Sequence, residues 1–345
     1  MTLAVKIQPG EFLDLAKKLP VIDVRAPLEY NAGHIPGAIN IPLFTDEQRA
    51  IVGTTYKREG SKAAIISGLK LAGPDFAEKA KQAMKIATNG EILMHCWRGG
   101  MRSESMAWLF ELVGIKVSLL EGGYKAYRTF IRKSWEQPLK AVILGGLTGS
   151  GKTEVIHEIR NRGHQVIDLE GIANHKGSAF GALGQPEQPT NEQFENDLYK
   201  AFSEINRKEI VWLEDESKSI GKVRLPDRLY EAMNECAQFR LDLPLEIRIK
   251  RIVKEYAYFD KEQLSEIINR ISKKYGPNKV KTTIDLLQQE NFNAVAEMLL
   301  EYYDHTYSHA TSRRKCKEIY IINADSDVSG ENAEKILESF KMNLK

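Results

Sequence analysis

Short apolar runs alternate with amphipathic stretches along this chain, and the two patterns separate strands from helices. Apolar runs predict buried strands over residues 21–24, 38–43, 92–96 and 117–120 in the first part, and over 140–145, 210–213 and 318–323 in the second. Periodic apolar positions predict helices over 9–18, 46–57, 74–87, 103–113 and 123–135, then over 153–162 and 330–342, with a largely helical stretch after Pro244. Strands alternating with helices predict an α/β fold built on parallel sheets, which carry their working loops at the carboxyl ends of strands. The pattern closes near Pro138 and restarts at once, which divides the chain into domains 1–137 and 138–345. At 345 residues the chain is long enough for two such domains, each with its own core.

The strand over 92–96 ends in Cys96-Trp97-Arg98-Gly99-Gly100-Met101-Arg102-Ser103. Two glycines allow backbone N–H groups to turn inward as a nest, and the next helix, with Ser103 as its expected cap, adds the positive end of its dipole. Arg98 and Arg102 add full charges, so Cys96 is the expected nucleophile beside an anion pocket. His95-Cys96 with the Gly-Gly loop and Arg102-Ser103 resembles the active-site loop of the rhodanese fold. Val21-Ile22-Asp23-Val24-Arg25 and Gly33-His34-Ile35-Pro36-Gly37-Ala38 are similar to that fold's other two signatures. Asp23 is expected to tie down neighbouring loops with Arg25 as its partner. Five residues separate Cys96 from Arg102, one more than in most sulfur-transferring rhodaneses. The longer loop is similar to that of rhodanese-fold phosphatases and permits a substrate with a tetrahedral phosphorus centre.

The second domain opens with an apolar strand and Gly146-Leu147-Thr148-Gly149-Ser150-Gly151-Lys152-Thr153 before a helix, the P-loop pattern in its required context. Backbone N–H groups from Thr148 to Thr153 are expected to wrap a diphosphate, Lys152 to neutralise it, and Thr153 to hold Mg²⁺. A carboxylate after the neighbouring strand, Asp215 or Glu214 of Glu214-Asp215-Glu216-Ser217, is expected at the metal's water shell. Asp168-Leu169-Glu170-Gly171 and the polar run Asn174-His175-Lys176-Gly177-Ser178 read as a substrate loop at the same sheet edge.

Charge modifies this picture little. Lys+Arg 49 against Asp+Glu 47 leaves a net +2, so a polyanion must be held by a local patch. Candidate patches are Arg248, Lys250, Arg251 and Lys254; Lys273, Lys274, Lys279 and Lys281; and Arg313, Arg314, Lys315 and Lys317. Tyr256, Tyr258, Tyr275, Tyr302, Tyr303 and Tyr307 stand nearby for stacking on bases. His305 and His309 lie four residues apart without an evident third ligand. Three scattered cysteines, Cys96, Cys236 and Cys316, give neither a disulfide framework nor a zinc site, which favours a reducing compartment. With no apolar signal core at the N-terminus and no membrane-spanning run, the expectation is a cytoplasmic monomer without membrane attachment.

The Cys96–Ser103 loop, the Asp168–Gly171 and Asn174–Ser178 segments and the Glu214–Ser217 segment together resemble the bacterial tRNA 2-selenouridine synthases, over almost the whole chain. Two positions depart from the family pattern: Gly33-His34-Ile35 is nearer to general rhodaneses, and His305 follows Tyr302-Tyr303-Asp304 where proline is expected. The resemblance implies exchange of sulfur for selenium at the wobble uridine of tRNA. The 2-thio group attacks geranyl diphosphate, and selenium from selenophosphate then displaces the alkylated sulfur by way of an S-selanyl group on Cys96. Arg98 and Arg102 would serve the selenium step. Gly146, Thr148, Gly149, Ser150, Gly151, Lys152, Thr153, Asp168, Glu170 and Asp215 would bind the diphosphate, with Thr153 and Asp215 on Mg²⁺. The same residues permit two other readings, a nucleotide-dependent tRNA sulfurtransferase and a rhodanese-fold phosphatase–kinase fusion.

Overall fold

The structure, a computed structural model, describes residues 4–311, 316 and 318–344. The chain divides into two compact units between Trp135 and Glu136. In the first, strands β1 (Val5–Ile7), β2 (Val21–Asp23), β3 (Ile39–Asn40), β4 (Glu91–His95) and β5 (Lys116–Leu120) form one sheet in the order β1-β5-β4-β2-β3. Every pairing is parallel. Ile22, Leu93 and Met94 are fully buried, as expected of central strands covered by helices on both faces.

Three sequence expectations shift here. The strand expected over 38–43 shortens to Ile39–Asn40, because the Asn40 amide turns to donate to Asp23 O and Arg25 O. A helix at Ser61–Ala72 escapes the apolar pattern: it buries Ala64, Gly68 and Ala72 while Ile66 and Leu69 stay exposed. The helix after Cys96 begins at Met101 with Gly100 as its cap, so Ser103 sits inside the first turn and does not cap it.

In the second unit, β6 (Ala141–Gly146), β7 (Gln165–Ile167), β8 (Val211–Glu214), the hairpin β9 (Ser219–Ile220) and β10 (Val223–Arg224), β11 (Gln238–Asp242) and β12 (Ile319–Asn323) follow in order. The main sheet runs β12-β11-β6-β8-β7, again with parallel pairing throughout. Strand β11 lies beside β6 yet is absent from the sequence reading, since Gln238-Phe239-Arg240-Leu241-Asp242 carries only two apolar side chains. The helix Asn191–Ser203 is likewise unanticipated.

The stretch after Pro244 is helical, with Leu245–Tyr256, Lys261–Arg270, Pro277–Gln288 and Phe292–Thr311. These helices build a core of their own around Leu264, Ile268, Leu287, Val295 and Leu299. It is distinct from the sheet core of Val142, Leu144, Trp212, Phe239 and Leu241. Among the described residues, no helix is long and apolar enough to cross a membrane.

Candidate active site

Strand β4 delivers Cys96 into a loop that is fixed from behind. Tyr124 N donates to Cys96 O at 2.9 Å and Lys125 N to Trp97 O at 3.0 Å. This approach leaves no room for a side chain on either strip: Gly99 (φ +65°) would place a Cβ 2.7 Å from Leu120 O, and one on Gly123 (φ +61°) would collide with Gly99 N and Cys96 O. Cys96 is only 3% exposed. Ser103 Oγ lies 3.3 Å from its sulfur and 2.9 Å from Gly100 O, so the single hydroxyl proton can turn to a thiolate when one forms. The start of the helix Met101–Leu112 stands over the same loop and favours an anion there.

The two loop arginines part ways. Arg98 is exposed. Arg102 is held by Glu29, Nη1 at 2.6 Å from Oε2 and Nη2 at 3.3 Å from Oε1. Burial pushes the Glu29 carboxyl up, but the Arg102 guanidinium and the Ala26 N–H outweigh it and hold it below the ordinary range. Beneath the loop, Asp23 and Arg25 are fully buried and paired through Arg25 Nε and Nη2, the latter at 2.6 Å, as the sequence led one to expect. The Arg25 guanidinium also lies 3.8 Å from the Tyr124 ring centroid and reaches Gly33 O at 2.7 Å. Burial lowers the pKa of His95, against the pull of Asp23, whose carboxylate lies 3.7 Å from its Nε2. His95 belongs to the loop motif read from the sequence, but its place beside Asp23 was not anticipated, and nothing in the spacing of Glu29 marks it as the partner of Arg102.

The P-loop follows β6. Gly149 (φ +78°) and Gly151 (φ +76°) take the left-handed conformation, and the helix Lys152–Asn161 begins immediately after. Lys152 Nζ folds back to Gly146 O at 3.2 Å, and Thr153 Oγ1 donates to Glu170 Oε2 at 2.8 Å. Glu170 is therefore the carboxylate on Thr153. Asp215, which with Glu214 was one of the two carboxylates expected at the metal's water shell, accepts from Gln238 Nε2 at 2.6 Å and Tyr307 OH at 2.5 Å.

Asp168 caps the helix Leu169–Ala173 through Gly171 N at 2.6 Å and meets His157 Nε2 at 2.7 Å. Glu214 Oε2 accepts from Glu170 N at 3.1 Å. Burial and then the neighbouring Glu170 push both Glu214 and Glu216 well above the ordinary carboxylate range. The polar run after Asp168 packs on this acidic group: a Cβ at Gly177 would lie 2.8 Å from Glu216 Oε1 and 2.9 Å from Glu170 Oε1. Among the described residues, no group of three or more His, Cys, Asp or Glu side chains could by itself hold a metal.

The basic clusters change character in the fold. Arg248 is 4% exposed, with Nη1 and Nη2 each 2.8 Å from the Asp304 carboxylate, and Nη1 also donates to Thr148 O of the P-loop at 3.3 Å. Arg251 pairs with Glu154 at 2.8 Å. Lys250, Lys254, Lys273, Lys274, Lys279 and Lys281 are exposed. Arg313, Arg314, Lys315 and Lys317 lie outside the described residues. Of the tyrosines, Tyr275 is buried and burial pushes the Tyr256 and Tyr303 hydroxyls up, whereas Tyr258 stands 74% exposed. The first cluster is thus partly structural, and Tyr258 is the most exposed of these rings.

The family model for the tRNA 2-selenouridine synthase AAA domain matches residues 139–335, and that for the rhodanese-like domain matches residues 8–129. A Sulfurovum sp. (strain NBC37-1) protein named tRNA 2-selenouridine synthase is 35% identical over 341 residues, covering 88% of this chain and 92% of its own. Proteins of the same name from Nitrosomonas europaea and Shewanella frigidimarina are 40% and 38% identical, covering 69% and 76% of this chain and 63% and 71% of their own. A rhodanese-like α/β unit with an intact cysteine loop, followed by a P-loop α/β unit with a helical C-terminal part, matches these relatives in both halves, and the chain belongs to the tRNA 2-selenouridine synthase family.

Proposed function

We propose that this enzyme exchanges sulfur for selenium at C2 of the wobble 2-thiouridine of tRNA, in two steps served by its two units. The observation that carries the reading is one chain holding both a buried cysteine at a glycine loop that opens a helix and a P-loop whose left-handed glycines lead into another. A thiocarbonyl sulfur is a poor leaving group; an alkylated sulfur leaves as a thiol. In the first step the thio sulfur attacks C1 of geranyl diphosphate, the C–O bond breaks, and the diphosphate departs with its charge on the P-loop N–H groups and Lys152. In the second, the Cys96 thiolate attacks the selenium of selenophosphate: the S–Se bond forms, the Se–P bond breaks and phosphorus leaves with its electron pair as phosphite. The S-selanyl selenium then adds at C2, geranylthiol leaves, and two equivalents of an external thiol, departing as their disulfide, reduce the remaining S–Se bond to free 2-selenouridine and Cys96. The nest at Gly99–Gly100, the helix start at Met101 and Arg98 and Arg102 suit the phosphate part of the donor.

Mg²⁺ accompanying the diphosphate would be held by Thr153 and Glu170, whose oxygens already meet, with phosphate oxygens and water completing its shell. When bound it supplies charge neutralisation. The exposed lysines of the helical part and Tyr258 suit contact with the anticodon arm.

The test supplies the full-length protein with a 2-thiouridine anticodon stem-loop, geranyl diphosphate and selenophosphate, and follows the nucleosides by mass spectrometry. S-geranyl-2-thiouridine should appear first and 2-selenouridine should follow. Selenouridine formed at full rate without geranyl diphosphate, or only with ATP or GTP, would replace this reading with the nucleotide-dependent one.

A further inference from the structure

Beside the P-loop, the second unit holds a cavity of about 580 Å³, counted with its open mouth. Its walls are almost wholly apolar, contributed by Ile252 and Val253 of one helix, Ile268 of the next, and Ala296 and Leu299 of the helix Phe292–Thr311. Thr148 of the P-loop and Ser178 of the loop after β7 line it as well.

Two contacts tie the cavity to the phosphate cradle. Ile252 lines it and also packs on the P-loop, since a Cβ at Gly149 would sit 3.1 Å from Ile252 Cγ1. Arg248, one turn earlier on the same helix, donates to Thr148 O. On its Thr148 side, a ligand whose phosphates rest on the P-loop therefore finds hydrocarbon next to them. The lining suits a nucleoside poorly: a base and ribose need several hydrogen-bond partners, and Tyr303 OH already meets Ala179 N at 3.3 Å. Fully buried Ile268 and Leu287 close the cavity inside the helical core.

We propose that this cavity receives the hydrocarbon chain of the prenyl diphosphate, entering past Thr148 while the diphosphate lies on Gly146–Thr153. The assignment rests on the reading of the P-loop as a prenyl diphosphate site. It adds that affinity and chain selectivity reside in the helical part, at Ile252, Ala296 and Leu299. Each buried methylene is worth about fourfold in affinity, so the chain dominates the difference between a prenyl diphosphate and pyrophosphate.

The experiment measures binding of geranyl S-thiolodiphosphate and of inorganic pyrophosphate to the full chain by calorimetry, in the wild type and in Ala296→Leu and Ala296→Trp. The expected result is tighter binding of the geranyl compound by the wild type, about tenfold loss of it in Ala296→Leu and about 100-fold or more in Ala296→Trp, with pyrophosphate unchanged. Equal affinity of the wild type for both ligands, or a geranyl affinity untouched by both variants, overturns the cavity assignment while leaving the diphosphate reading intact. Absence of geranyl compound binding while ATP binds overturns the diphosphate reading itself. Should Ala296→Trp lose both ligands, Ala296→Leu decides: loss confined to the geranyl compound sustains the proposal, and parallel loss of both rejects it.

Discussion

Replacing Asp304 with alanine tests whether the helices Leu245–Tyr256 and Phe292–Thr311 are fastened to each other by charge. Arg248 and Asp304 form a two-pronged pair with both distances at 2.8 Å, and their side chains are 5% and 28% exposed. Removing one partner of a fully buried pair costs about 3–5 kcal/mol, because the survivor keeps an uncompensated charge. Water reaches Asp304's side of this pair, so about 2–3 kcal/mol is the expected loss for Asp304→Ala. For a unit of this size that lowers the midpoint of thermal unfolding by about 5–10 °C, in the transition of the second unit alone.

Scanning calorimetry of the full chain resolves that transition, and repeating it at high salt should leave the difference nearly intact, since a buried pair is weakly screened. Asp304→Asn keeps one acceptor and should lose about half as much. Adding Arg248→Met to Asp304→Ala removes the orphaned charge and should recover part of the loss. A melting curve for Asp304→Ala that overlays the wild type, or a double variant worse than both single variants added, would refute the orphaned-charge argument. Because Arg248 also holds Thr148 O, affinity for the diphosphate ligand should fall in the single variant as well.

Four further outcomes follow from the two sites. Cys96→Ala should abolish selenouridine formation while leaving S-geranylation of 2-thiouridine RNA close to wild type, read by nucleoside mass spectrometry; normal selenation by this variant removes Cys96 from the reaction. Lys152→Ala should do the reverse, losing geranylation by about 100-fold or more yet converting pre-geranylated RNA, because only the first step needs a diphosphate neutralised. Glu216→Gln should raise the melting temperature near pH 7–8. The buried Glu216 carboxyl has a folded pKa raised above its unfolded value, so its contribution is full below about pH 4.5 and is lost as pH rises toward the folded pKa; the gap over the wild type should close in acid. Neutralising Arg313, Arg314 and Lys315 together should weaken tRNA binding and flatten its salt dependence without altering affinity for geranyl diphosphate, as filter binding at several salt concentrations would show.

What the sequence made legible follows from how locally each feature is encoded. The Cys96 loop and the P-loop are continuous in sequence, and their chemistry depends on backbone conformation that glycine spacing announces, so both could be placed before any coordinates. The Asp23–Arg25 pair is two residues apart on one strand end and was equally visible. Partners brought from afar were not: Glu29 reaches Arg102 across 73 positions, and Arg248 reaches Asp304 across 56. Arg248 read as one charge in a basic run, because a charge pattern carries no information on which face of a helix is later covered.

The carboxylates after β8 show the same limit at finer scale. Glu214-Asp215-Glu216 was recognised as one acidic segment, but successive residues at a strand end point different ways. Asp215 turns toward Gln238 and Tyr307, whereas Glu214 and Glu216 turn toward Glu170 near Lys152. The apolar cavity was beyond reach for a related reason. Its lining comes from four helices and two loops that each bury an ordinary apolar stripe, and only their juxtaposition next to Thr148 converts core-forming residues into a site for a hydrocarbon chain.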